Sequence, residues 1–160
     1  MTQLATESRS VVVERDISHP PEKIWRALTQ PHLIEEWLMK NDFKPVVGHS
    51  FNFRADWGAV DCQVPAIEAN RTLSYTWAAY GLESVVTWTL TPTSTGTHLR
   101  MEQSGFRPDQ QQAYQGAKYG WQQFFTNLEQ VLGRIDRSLP AQFKVRLCLQ
   151  SCMAFEVQTI

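Results

Sequence analysis

The spacing of apolar positions along the chain changes twice. Over residues 10–18, "SVVVERDIS", β-branched residues predict a first strand closed by a polar pair. The next stretch, "HPPEKIWRALT", has helical spacing, with Ile24, Trp25 and Leu28 on one face. Pro20 and Pro21 stand at its start, where a missing N–H costs nothing, and Glu22 suits the positive end of the helix dipole. Thr29 is placed to cap a second short helix, "PHLIEEWL", again opened by a proline. Two proline-started helices in succession predict a bend rather than one rod.

From residue 43 the period becomes two. "SFNFRAD" sets Phe51, Phe53 and Ala55 against polar positions, and a bend near Trp57-Gly58 predicts a hairpin. The returning strand runs through Ile67, with Pro65 marking an edge position or a bulge. "NRTLSYTWAA" puts Leu73, Tyr75 and Trp77 on one face, and "SVVTWTLTP" does the same with Val86, Trp88 and Leu90. "TGTHLRMEQ" places Leu99, Met101 and Gln103 opposite His98, Arg100 and Glu102. Short turns such as "PTSTG" make these strands antiparallel neighbours. "SGFRPDQQ" is expected to break the sheet, with Pro108 and Asp109 starting a helix that runs to Leu132 and stops at Gly133. Ala117, Trp121, Phe124, Phe125, Leu128 and Leu132 make its broad apolar stripe.

This order predicts an α+β domain in which a curved antiparallel sheet grips one long C-terminal helix. That helix is the element large enough to cover the apolar face of the sheet. The chain of 160 residues suits one such domain. A net charge of −1 with scattered Lys and Arg argues against a nucleic-acid binder. No segment approaches the roughly 18 apolar residues of a membrane span, and "MTQLATESRS" lacks the features of a signal peptide. A cytoplasmic protein is the simplest expectation. Cys62, Cys148 and Cys152 form no disulfide framework, and no His lies near the close pair Cys148 and Cys152, so no metal site is expected there; no cofactor is expected either.

The blocks "PPEKIWRALTQPHLIEEWL", "RTLSYTW", "VVTWTLTP", "GTHLRMEQSGF" and "GWQQFFTNLEQVL" together resemble, in order, the family named after the activator of the heat-shock-protein-90 ATPase. The resemblance spans about residues 9–133. It implies the helix-grip fold of the steroidogenic-acute-regulatory-like, or birch-pollen-allergen-like, superfamily, whose members include lipid carriers, hormone receptors, polyketide cyclases and co-chaperone domains. The chaperone activator carries a further N-terminal domain, whereas about eight residues precede the first strand here. That departure weighs against a chaperone contact. Residues 134–160 lie beyond the resemblance, yet "PAQFKVRLCLQS" alternates over 141–149. An added strand is expected there, on a sheet edge of its own subunit or of a partner copy in a homodimer.

Candidate chemistry is sparse. Adjacent Glu35 and Glu36 point about 100° apart on a helix and cannot face each other. His19, His32, His49 and His98 show no metal-ligand spacing, and His98 should face away from the long helix. Inward polar groups are Tyr75 and Gln103, with Tyr114 and Arg54 as further candidates. Trp37, Phe51, Phe53, Trp57, Tyr75, Trp77, Trp88, Trp121 and Phe124 should gather between sheet and helix. Either these rings fill the space or they wall a pocket. Gly116 and Gly120, one turn apart, signify close packing or room for a ligand. The expectation is a small apolar ligand, a lipid, aromatic metabolite or polyketide-like molecule. Its binding residues would be Trp37, Phe53, Tyr75, Trp77, Trp88, Met101, Gln103, Tyr114, Trp121 and Phe124. A chaperone-associated regulator and a cyclase- or hydrolase-type enzyme using the same cavity are the alternatives.

Overall fold

The structure, a computed structural model, describes the backbone of residues 8–138 and side chains through residue 135. The chain divides into two compact units, residues 1–128 and 129–160. The first contains strand β1 (Arg9–Ile17), helices α1 (Pro21–Thr29) and α2 (Pro31–Trp37), strands β2 (Lys40–Asn41) and β3 (Ser50–Ala55), and β4 (Gly58–Gln63). It continues through β5 (Ala66–Glu68), β6 (Thr72–Ala79), β7 (Leu82–Pro92) and β8 (Thr97–Phe106) into α3 (Gln111–Ser138). Residues 129–138 of the second unit prolong that helix. The alternating segment 141–149, like Cys148 and Cys152, lies outside the described residues.

The sheet is curved, open and antiparallel, in the order β1-β8-β7-β6-β4-β3-β2, with β5 also paired to β6. Period-two alternation decides which face is buried. Val11, Val13, Phe51, Phe53, Leu73, Tyr75, Val86, Trp88, Leu99, Met101 and Gln103 are all buried on the side that α3 covers. The opposite face carries small polar pairs such as Ser74 and Thr87, whose hydroxyl oxygens are 3.2 Å apart. Pro65 interrupts pairing to β6. Asp61 opposes Ala78, which would bring residue 65 opposite Ser74, but Ala66 stands there, so one residue is extra.

Several boundaries differ from expectation, each for a local reason. Thr29 does not cap α2: its Oγ1 donates to the Trp25 carbonyl at 2.7 Å, ending α1, and Gln30 occupies the cap position without a side-chain bond. β8 does not break at Ser104 but continues to Phe106. Ser10 opposes Ser104 while Arg9 opposes Phe106, so Gly105 is the extra residue of a bulge. Its φ of 113° and the 2.8 Å that would separate a Cβ from the Glu83 carbonyl require glycine there. Residues 107–110 form a turn, with Asp109 held 3.2 Å from Arg107 Nε, and α3 begins at Gln111. Gly133 does not stop α3, because it does not adopt the positive φ that closes a helix. The two-residue β2 was not foreseen, since "KN" carries no hydropathic signal; its place comes from pairing Asn41 with Phe53.

Candidate functional site

Exposure along the covered face runs in one direction. On β6, Leu73 and Tyr75 are buried, Trp77 and Ala79 are half-buried, and Tyr80 in the following turn is 80% exposed. On β3, Phe53 is buried, Ala55 half-buried, and Trp57 in the turn 54% exposed. On α3, Leu128, Phe125 and Trp121 are buried, Phe124 and Gly120 half-buried, and Gly116 exposed. Burial is therefore complete at one end of the grip, its closed end, and falls off toward the other, its open end, where the β3–β4 and β6–β7 hairpins turn.

The closed end is a continuous aromatic solid. Trp88 has its ring centroid 5.7 Å from Trp37, 5.8 Å from Trp121 and 5.5 Å from Phe125. Edge-to-face and offset contacts of this kind add to the large apolar area these rings remove from water. The buried indole of Trp37 donates Nε1–H to the Ala27 carbonyl at 2.8 Å, fastening α2 to α1. A second row, Phe43, Phe51 and Phe53, surrounds the Tyr75 ring at 6.5, 5.8 and 5.6 Å. Toward the open end the chain of rings goes on through Phe53–Trp77, Trp77–Trp121 and Trp121–Phe124, at 5.5, 5.4 and 5.4 Å.

Polar atoms thread this apolar space in two places. Trp121 donates Nε1–H to Gln103 Oε1 at 2.7 Å, Gln103 Nε2 donates to Ser84 Oγ at 2.9 Å, and Ser84 donates to the Trp77 carbonyl at 2.9 Å. This relay fixes Trp121 against β7 and β8. Trp88 donates Nε1–H to Tyr75 Oη at 3.0 Å. Burial pushes the Tyr75 phenol well above its usual range, opposing the smaller lowering by the Trp88 N–H, so the hydroxyl keeps its proton. The buried Cys62 thiol is likewise pushed up, first by burial and then by Asp61, and stays protonated.

Of the ten predicted ligand-binding residues, Trp37, Phe53, Tyr75, Trp77, Trp88, Met101, Gln103, Trp121 and Phe124 lie on the covered face of the sheet or on the elements packed over it. Tyr114 stands apart. Although it shares the stripe of Trp121, it is about 10 Å further along the helix. There its ring meets Phe106 at 5.6 Å and the Arg9 guanidinium at 4.0 Å. It lines an outer groove of about 460 Å³ with β1 residues 10–13, Lys118 and Tyr119. Trp57 and Arg54 are also placed differently. Trp57 is exposed and packs on Tyr80 at 6.0 Å, while Arg54 points outward, donating to Asn52 Oδ1 at 2.6 Å. Both belong to a hairpin whose turn projects past the end of the core.

Sequence reasoning missed Ser84 and the Tyr80–Trp57 clasp. Ser84 lies in phase with Val86 and Trp88, a signal that alternation did contain. Tyr80, with φ of 50°, donates its hydroxyl to the Trp57 carbonyl at 2.6 Å and ties the two hairpins together. The two helical glycines are now distinguishable from packing glycines: a Cβ at Gly116 or Gly120 would meet nothing within 4 Å. His98 faces outward, between Asp16 (Nδ1 to Oδ1 2.8 Å) and Glu14 (Nε2 to Oε1 2.7 Å). Its pKa is raised, mainly by the Asp16 bond and then by Glu14. Among the described residues no group of three or more His, Cys, Asp or Glu side chains is arranged to hold a metal ion. Nor is any described helix long and apolar enough to cross a membrane.

A long helix over a curved antiparallel sheet, with two short helices after the first strand, defines a helix-grip protein. The chain belongs to the family described as Activator of Hsp90 ATPase homolog 1-like protein, whose model matches residues 18–133. Protein MLL2253 from Mesorhizobium loti is 70% identical, over 82% of this chain and 100% of that one, with a TM-score of 0.77. DynU16, a protein in the dynemicin biosynthetic locus, is 26% identical over 78% of this chain and 47% of its own, with a TM-score of 0.71. Protein BH1534 from Bacillus halodurans is 26% identical over 78% of this chain and 96% of its own, with a TM-score of 0.70. No curated protein matches the chain.

Proposed function

We propose that the chain binds a small, largely apolar molecule at the open end of the grip, against Trp77, Trp121 and Phe124. The observation that carries this reading is the ring column that begins fully buried at Trp88 and reaches solvent at half-buried Trp77 and Phe124. A core that served packing alone would gain by ending in small or polar residues at its rim. Open space beside half-buried Gly120 supports the reading, because a helix-interior glycine that packs against nothing lowers helix stability without a packing return. The likeness to a protein of the dynemicin locus favours an aromatic or polyketide-like ligand. A binding role, without catalysis, is the simplest activity for a site lined by rings, one amide and a phenol that keeps its proton.

The test is titration of the purified chain with a panel of neutral aromatic and acyl compounds, following tryptophan emission and melting temperature. A binder at a hundred times its dissociation constant should add about 2.7 kcal/mol of stability. Gly120→Leu should retain the fold and lose the shift. No shift across the panel, with Gly120→Leu strongly destabilised, would overturn the reading.

A chaperone-associated role is the second reading. Exposed Trp57 and Tyr80, with ring centroids 6.0 Å apart, give it a small apolar patch, and the family description gives it a direction. It predicts saturable stimulation of a heat-shock-protein-90 ATPase by the purified chain, and we expect none.

A further inference from the structure

We infer that Tyr75 is the polar anchor of the ligand, donating its hydroxyl hydrogen to a neutral carbonyl or ether oxygen on an aromatic molecule. This rests on the binding role proposed above and narrows it to one class of ligand.

An indole N–H only donates, so in the Trp88–Tyr75 bond the phenol oxygen is the acceptor and its own hydrogen points elsewhere. Tyr75 is 3% exposed, and among the described residues no acceptor meets that hydrogen. Its neighbours are the rings of Phe43, Phe51 and Phe53, which offer no lone pair, and the buried Cys62 thiol, a weak acceptor to which it makes no hydrogen bond. A buried donor left without a partner is costly, and native interiors rarely keep one. The other buried polar groups of the covered face are engaged. Gln103 accepts from Trp121 and donates to Ser84, Ser84 donates to the Trp77 carbonyl, and Trp37 donates to the Ala27 carbonyl. Gln103 is therefore a strut, bonded through both its oxygen and its nitrogen, whereas the Tyr75 hydroxyl only accepts, from Trp88, and donates to no described residue.

The donor lies one inward position deeper than the half-buried Trp77, behind the Phe53 ring. Tyr75 and Trp77 are alternate residues on one face of β6, about 7 Å apart along the strand. Phe53 touches both, at 5.6 and 5.5 Å. A fused-ring molecule entering at Trp77 spans that interval once the Trp77 and Phe53 rings turn aside. No cation stands among the ring neighbours of Tyr75, so a carboxylate there would be desolvated without compensation. A neutral oxygen fits.

Fluorenone and fluorene test this directly, since they share one tricyclic frame and differ in the carbonyl. Calorimetric titration of the full chain should show fluorenone binding about tenfold or more tightly, the effect of one buried hydrogen bond. In Tyr75→Phe the ratio of the two affinities should collapse below about twofold, whatever the change common to both compounds. Measurable but equal binding of both by the native chain would overturn the anchor and leave the binding role standing; a buried water on Tyr75 would give that result. Preference that survives in Tyr75→Phe overturns it as well. If neither compound binds, the anchor falls together with the binding role for this ligand class. Should Tyr75→Phe fail to fold, the carbonyl stretch of fluorenone on the native protein decides. A fall in wavenumber on binding supports the bond, and a stretch equal to that in alkane rules it out.

Discussion

The two ends of the grip use the same residue types to opposite effect. At the closed end, Trp37 of α2, Trp88 and Phe125 are at most 1% exposed, and each ring touches another. At the hairpin end, Trp77 and Phe124 carry rings of comparable size but keep part of their surface in solvent. The difference is in what surrounds them: paired helices and interlocked rings at one end, glycines and hairpin turns at the other. Aromatic richness alone thus does not distinguish core from site; the gradient of burial along β6, β3 and α3 does.

Breaking the closed end should have the largest effect. Trp88→Ala should cost about 3–5 kcal/mol, because the void is surrounded by rings that cannot collapse into it. Trp77→Ala should cost about 1–2 kcal/mol, since much of its surface is already in water. Denaturant unfolding gives both values, and equal losses would erase the distinction between the ends.

Gln103→Leu tests the relay between them. Leaving the Trp121 N–H and the Ser84 hydroxyl short of a partner should cost about 1–3 kcal/mol. A neutral result would show that Trp121 is held by packing alone. Smaller and opposite in sign is Gly120→Ala, which should stabilise by up to about 1 kcal/mol, because its Cβ meets nothing. A loss of stability there would mean that α3 is tightly packed at the open end too.

The smallest effect should come from neither end. His98 has a raised pKa on the outer face, so its contribution is full below its ordinary value near 6.5 and is lost as pH rises through the higher folded value. Stability should therefore decline slightly above about pH 6.5, and His98→Asn should flatten that slope. Unfolding midpoints measured from pH 5.5 to 9 check it, and an unchanged slope in the variant would place the titration elsewhere.

What the sequence determined by itself was every element governed by repetition. Alternation within 70–79, 84–92 and 95–103 set those strands and their inward faces, and the stripe through Trp121, Phe125 and Leu128 set the covering helix. Those signals are local, because each residue's burial follows from its phase. Tertiary structure decided matters that depend on what a residue meets. Gly105 continues β8 instead of ending it because the Glu83 carbonyl lies too close for a Cβ. Thr29 turned back to Trp25, and Tyr114 left the stripe of Trp121 to pack on Phe106. Hydropathy placed Gln103 and Tyr75 side by side as inward polar groups. Only the three-dimensional arrangement separated them, because whether a donor is satisfied depends on the position of atoms contributed by strands and a helix far apart in the chain.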